Sequence, residues 1–183
     1  MIKRASLLNF SVAALLTLTS PLSAQEADLD TLFAQLAEAS PEEAPRIEGQ
    51  IATIWSRSGS AAMDLLLRRG EDALEEGNHM AAVEHYTAVI DHAPQFAEGY
   101  NGRATAFYLM GRMGPALDDI RTTLELEPRH FGALRGLGIM LEELDRSEDA
   151  LEVFREILAL HPHAEGVAEA AERLEIKLEG QTL

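Results

Sequence analysis

Three prolines, Pro94, Pro128 and Pro162, stand 34 residues apart, and the rest of the chain follows the same period. Gly70, Ala104 and Gly138 form a column of small residues, and Ala82, Ala116 and Ala150 form a second. Leu66, Tyr100 and Leu134 form an apolar column, as do Ala73, Phe107 and Leu141, and Tyr86, Ile120 and Phe154. Gly77, Gly111 and Asp145 fall midway, where a turn is needed. A period of this length with helix-spaced apolar residues predicts a stack of helix–turn–helix units. Small residues let two helices approach, larger ones fill the space beside them, and proline stops the second helix. Three units are predicted, at about 63–96, 97–130 and 131–164 within 61–164. No such unit buries its apolar face alone, so the units must stack.

The unit Tyr100-Asn101-Gly102-Arg103-Ala104, followed by Phe107, Gly111, Ala116, Ile120 and Pro128, resembles the tetratricopeptide repeat (TPR) family. Arg69-Gly70 repeats part of it one unit earlier. The resemblance implies an all-α, right-handed superhelical solenoid of antiparallel helix pairs, in which the first helix of each unit lines a concave groove.

Composition agrees. Aromatics are 5% with one tryptophan, which disfavours a β-sandwich, and 46% apolar residues are too many for a disordered acidic tail. There is no cysteine, which removes disulfide, zinc-ribbon and thiol chemistry. A formal charge of −16 disfavours nucleic acid and anionic lipid as partners.

The two ends depart from the period. Lys3 and Arg4 precede a mostly apolar stretch from Leu7 to Leu18, and Pro21 to Ala24 reads as a helix break ending in small residues. This is the layout of a secretory signal peptide over 1–24, cleaved between Ala24 and Gln25. The apolar run is short of the ~20 residues that span a bilayer; an uncleaved anchor is the alternative. Its style is Gram-negative bacterial, so the destination is periplasmic or secreted. Residues 25–60 read as a helical hairpin or degenerate repeat in front of unit 1. Leu29, Leu32, Phe33 and Leu36 make one stripe, and Ile47, Ile51 and Ile54, with Trp55 beside them, make another. Ser40 is expected to cap the second helix with Pro41 in its first turn, and Trp55 is expected in the core. Residues 165–183 read as a C-terminal capping helix with Val167, Ala170, Ala171, Leu174 and Leu178 on its apolar side.

No catalytic, cofactor or metal constellation is found. His85 and His92 are seven apart, and His161 and His163 bracket Pro162; neither has the i, i+3 or i, i+4 spacing for two ligands on one helix. They read as exposed or helix-end histidines. The chain is therefore expected to be no enzyme and to use no cofactor.

By phase with the resemblance, the groove is lined by Asp64, Leu67, Arg68, Glu71 and Glu75 in unit 1. Unit 2 adds Glu98, Asn101, Thr105, Tyr108 and Leu109; unit 3 adds Gly132, Arg135, Ile139, Glu142 and Glu143. Of these, Arg68, Asn101, Thr105, Tyr108, Arg135 and Ile139 are the candidate peptide-binding residues. Some TPR domains hold chaperone C-terminal carboxylates with a basic and amide clamp. Only Asn101 fits it, since Leu67 and Glu71 occupy its Lys and Asn places and Gly132 and Gly136 replace its basic residues. The expected partner is a neutral or basic protein segment, favoured by six groove acids. A solenoid that self-assembles through its end helices is the alternative. Arg103 and Asp119 share their phases with the apolar pair Leu137 and Val153, so they are expected to face each other inside unit 2. Unit 1, with Arg69 opposite His85, fits less well.

Overall fold

The computed structural model describes residues 21–181, with side chains over 28–180. Most of the signal segment lies outside the described residues. All described elements are helical: α1 Pro21–Glu38, α2 Ala44–Trp55, α3 Ala61–Glu75, α4 His79–His92, α5 Ala97–Leu109, α6 Met113–Leu126, α7 Phe131–Glu143, α8 Ser147–Leu160 and α9 Val167–Gln181. The stretch from Pro21 to Ala24, expected to break a helix, is the first turn of α1, a place where proline's missing N–H costs nothing. Among the described residues no helix is long and apolar enough to cross a membrane.

Helices α3–α4, α5–α6 and α7–α8 are the three repeat units. Their second helices end at His92, Leu126 and Leu160, two residues before each proline. The residue before each proline, Ala93, Glu127 or His161, has left the helical region, with φ between −136° and −143°, because the proline ring clashes with a helical predecessor. The turns inside the units are also alike. Asn78, Arg112 and Arg146 each donate a backbone N–H to the carbonyl five residues back, on Ala73, Phe107 and Leu141, at 2.8–2.9 Å. The residue before each donor, Gly77, Gly111 or Asp145, is left-handed, with φ of 73°, 69° and 58°.

The small columns work as pairs with the large ones. A Cβ on Gly70 would lie 2.6 Å from the Tyr86 ring, and one on Gly138 would lie 2.5 Å from the Phe154 ring. Unit 2 solves the same packing with Ala104 and Ile120, both buried. The Tyr86 ring also presses on Gly102 of the next unit, 2.4 Å from where a Cβ would be. One side chain thereby joins α3, α4 and α5.

The N-terminal hairpin does not precede unit 1 in the stack. Helices α1 and α2 pack on one another, and α1 reaches α8. Leu29, Phe33, Leu36, Ile47, Ile51 and Trp55 share a core with Phe131, Phe154 and α9. The reason lies in the free face of α3. Positions that carry Val167, Ala170, Ala171 and Leu174 on α9 are Leu65, Arg68, Arg69 and Asp72 on α3. All four α9 residues are buried, Leu65 is 43% exposed, and the three charged residues are exposed. A charged face cannot repay the dehydration of an apolar hairpin. Helix α2 starts later than expected, at Ala44 with Pro45 in its first turn. Ser40 does not cap it with its side chain; the Ser40 N–H instead donates to Glu43 Oε2 at 3.2 Å. That bond holds the Glu43 carboxyl below its usual range. Trp55 is in the core, 7% exposed.

Candidate functional site

The first helices α3, α5 and α7 place the groove-phase residues on one side of the stack. Five of the six candidates meet there. Asn101, Thr105 and Tyr108 from α5 and Arg135 and Ile139 from α7 line one cavity of about 280 Å³, with Ala104, Leu109, Ile120 and Met140 in its walls. Gly132 and Gly136 also line it and leave it room. Leu109 is 49% exposed and Ile139 39%, so the mouth is apolar and open to water. The sixth candidate, Arg68, lies elsewhere. It borders a separate cavity of about 400 Å³ with Asp64, Leu67, Glu71 and Glu98, also lined by Ala52 and Thr53 of α2 and by Ser56 just after it.

The polar groups of the first cavity are unequally satisfied. Asn101 donates to Glu98 Oε2 at 3.2 Å, and Thr105 donates to the Asn101 carbonyl at 3.1 Å. The Tyr108 hydroxyl donates to Glu143 Oε1 at 2.5 Å, and this bond raises the phenol above its usual range. The Arg135 Nε is buried and has no hydrogen-bond partner. An unpaired guanidinium N–H out of water costs free energy, and an oxygen acceptor removes that cost.

The six groove acids differ in their partners. Glu143 is tied to Tyr108, and Glu142 to Arg173 of α9 at 2.9 Å. Glu98 faces the buried His130 Nε2 at 3.1 Å, and Asp64 accepts from Ser58 at 2.6 Å. Of these only Glu142 is paired with a guanidinium, since the neutral hydroxyls of Tyr108 and Ser58 leave their carboxylates charged; beside α3, Asp64, Glu71 and Glu98 border one cavity. There burial, then Glu98, Asp72 and Glu75, raise the Glu71 carboxyl, against a smaller opposing pull from Arg68. Arg135 lines the same cavity wall as Asn101.

Two residues that hold groove acids, His130 and Arg173, were not singled out from the sequence, nor was the buried state of His161. His130 and His161 are at helix ends but almost fully buried, at 2% and 1% exposed. Their link positions, next to proline-containing turns, are the only sequence signal. Arg173 lies on α9, outside the repeat phase that locates the groove.

A larger depression of about 440 Å³ opens across the α6–α7 junction, lined by Leu117, Leu124, Leu137 and Leu141 among others. Its Arg121 and Arg146 are already paired with Asp118 and Asp149. Its remaining charged group, Glu125, is exposed to water, whereas the α5–α7 cavity holds a buried, unpaired Arg135 Nε and is the better candidate.

The tetratricopeptide repeat pattern matches residues 67–118 and 115–165. A TPR repeat-containing protein of Rhizobium etli is 35% identical over 153 residues, which are 83% of this chain and 75% of that protein. The Hsp70-Hsp90 organizing protein 1 of Glycine max is 26% identical over 57% of this chain, and the match spans 18% of that protein. Among solved structures, the first TPR of Spaghetti (RPAP3) bound to the HSP90 peptide SRMEEVD is similar with a TM-score of 0.61 at 20% identity, over 64% of this chain and 93% of that one. The Arabidopsis OM64 TPR domain gives 0.59 at 27% identity, over 62% and 93%.

Proposed function

The chain belongs to the tetratricopeptide repeat family, and on that premise we propose that it is a non-catalytic adaptor that holds a segment of another protein in the groove between α5 and α7. The unpaired, buried Arg135 Nε beside the exposed Leu109 and Ile139 carries this reading. An apolar side chain of the segment fills the cavity, and a carbonyl or carboxylate oxygen accepts from Arg135, with Asn101 beside it. Toward α3, where Asp64, Glu71 and Glu98 gather, the segment is neutral or basic. That a fold neighbour was solved with a peptide bound supports an extended segment as the occupant. The site is exported: the signal-like segment over 1–24 supports a periplasmic or secreted protein, which intact mass of the exported chain tests, with an N-terminus at Gln25 expected.

The function is tested by affinity capture from a cell-envelope extract with the chain beginning at Gln25, using Arg135→Ala as the paired bait. A protein captured by the first and lost with the second supports the reading. Equal capture by both moves the site away from this cavity.

A further inference from the structure

The hairpin α1–α2 reaches the repeats through one short link, residues 56–60, in which Gly59 is left-handed with φ of 80° and open space around it. It then docks far from that link in sequence. The Trp55 indole stacks on the His130 ring at 4.3 Å and 10°, and its Nε1–H donates to Glu127 across 72 residues. The Arg129 guanidinium lies 4.4 Å over the Phe33 ring and donates to Asp30 across 99 residues. Glu48 faces His161 Nε2 at 3.4 Å across 113 residues. An aromatic centre within a rim of charged pairs is the make-up of a surface between two separately folded bodies. The junction between units 1 and 2 differs, closing the Tyr86 ring against Gly102.

We propose that α1–α2 is a latch, which leaves the link edge as one unit while α3–α9 stay folded. Three observations support it. The hairpin's packing partners are the link between units 2 and 3, unit 3 and α9, so its departure does not disturb the pairing of α3 with α4. The free face of α3 is charged and exposed with the hairpin docked, so no new apolar surface appears there. And the docked α2 walls one end of the groove, with Ala52 and Thr53 lining one cavity with Leu67, Glu71 and Glu98. A segment lying from α9 toward α3 meets that wall when the latch is closed and continues over α3 when it is open. A long segment thus favours the open form and a short one leaves it closed. The latch itself rests on packing and stands whether or not the α5–α7 cavity binds a peptide.

The only tryptophan of the chain is inside the latch, so its emission reports docking. Hydrogen exchange of the full chain under native conditions, with Trp55 emission followed through sub-denaturing urea, is the test. The expected result is that α1–α2 amides exchange together, at least ten-fold faster than those of α5 and α6. Trp55 emission should shift before the helical circular dichroism falls. Arg129→Ala, which removes both the Phe33 contact and the Asp30 pair without touching the repeat cores, should speed α1–α2 exchange several-fold further and leave α5 and α6 unchanged. Equal exchange in the hairpin and the repeats, with Trp55 emission and helicity changing in a single transition, overturns the proposal. So does an Arg129→Ala effect spread evenly over the chain.

Discussion

Arg103 and Asp119 form a two-point ion pair between α5 and α6, Nε to Oδ2 at 2.7 Å and Nη2 to Oδ1 at 2.8 Å. Asp119 is 6% exposed, and the third arm of Arg103 donates to Thr87 Oγ1 on α4 at 3.2 Å. The pair therefore ties unit 2 together and ties it to unit 1. The hydrogen bonds to Asp119 raise the guanidinium above its already high range, so it stays charged. The equivalent Leu137 and Val153 of unit 3 pack with the core there.

Removing one partner leaves the other half-buried and unmatched. Arg103→Leu and Asp119→Val should each cost about 2–4 kcal/mol, while the double variant, which imitates unit 3, should cost much less than the sum. Chemical denaturation of all three checks this, and strict additivity would show that the two side chains act independently.

How much of this was legible in the sequence depended on distance along the chain. The Arg103–Asp119 pair could be read because both partners change together from one copy to another, charged in unit 2 and apolar in unit 3. The small and large columns could be read because a helix pair is local and recurs. The docking of Trp55 on His130 could not, since it happens once and leaves no period. The start of α2 was misplaced because Ser40 and Pro41 offer a good cap in isolation, while the structure uses Glu43 to hold the Ser40 N–H. The compensation of the groove acids was hidden because it depends on where long side chains such as Arg173 reach.

Two glycine replacements should have opposite signs. Gly138→Ala puts a Cβ 2.5 Å from the buried Phe154 ring and should cost about 1–3 kcal/mol. Gly114→Ala, in the first turn of α6 with nothing within 4 Å, should stabilise by about 0.5–1 kcal/mol. Thermal unfolding of the two variants decides it; destabilisation by both would mean that the open space at Gly114 is filled in solution.

Asp145 holds a left-handed turn that glycine holds in the other two units. Asp145→Gly should raise stability by about 0.5–1 kcal/mol, because the left-handed conformation strains a residue with a Cβ. The lost pair with Lys177 is exposed and contributes little. A lower urea midpoint for the variant would show that the pair outweighs the strain.

Glu71 should make stability depend on pH in a defined direction. Its carboxyl is raised in the folded chain, first by burial and then by neighbouring carboxylates. Its ionisation therefore disfavours the fold. The penalty is present in full above the folded value and disappears as pH falls below the unfolded one. Glu71→Gln should raise the melting temperature at pH 7, and the gain should shrink toward zero at pH 3. A gain that does not change with pH would assign the effect to packing instead.

If the α5–α7 cavity carries partner binding, titration calorimetry with the captured partner will show it in the cavity variants. Arg135→Ala and Tyr108→Ala should each weaken binding by about 1–3 kcal/mol, and Glu152→Ala, on the exposed face of α8, should leave it unchanged. Wild-type affinity for both cavity variants, or a loss with Glu152→Ala as large as theirs, would contradict the account.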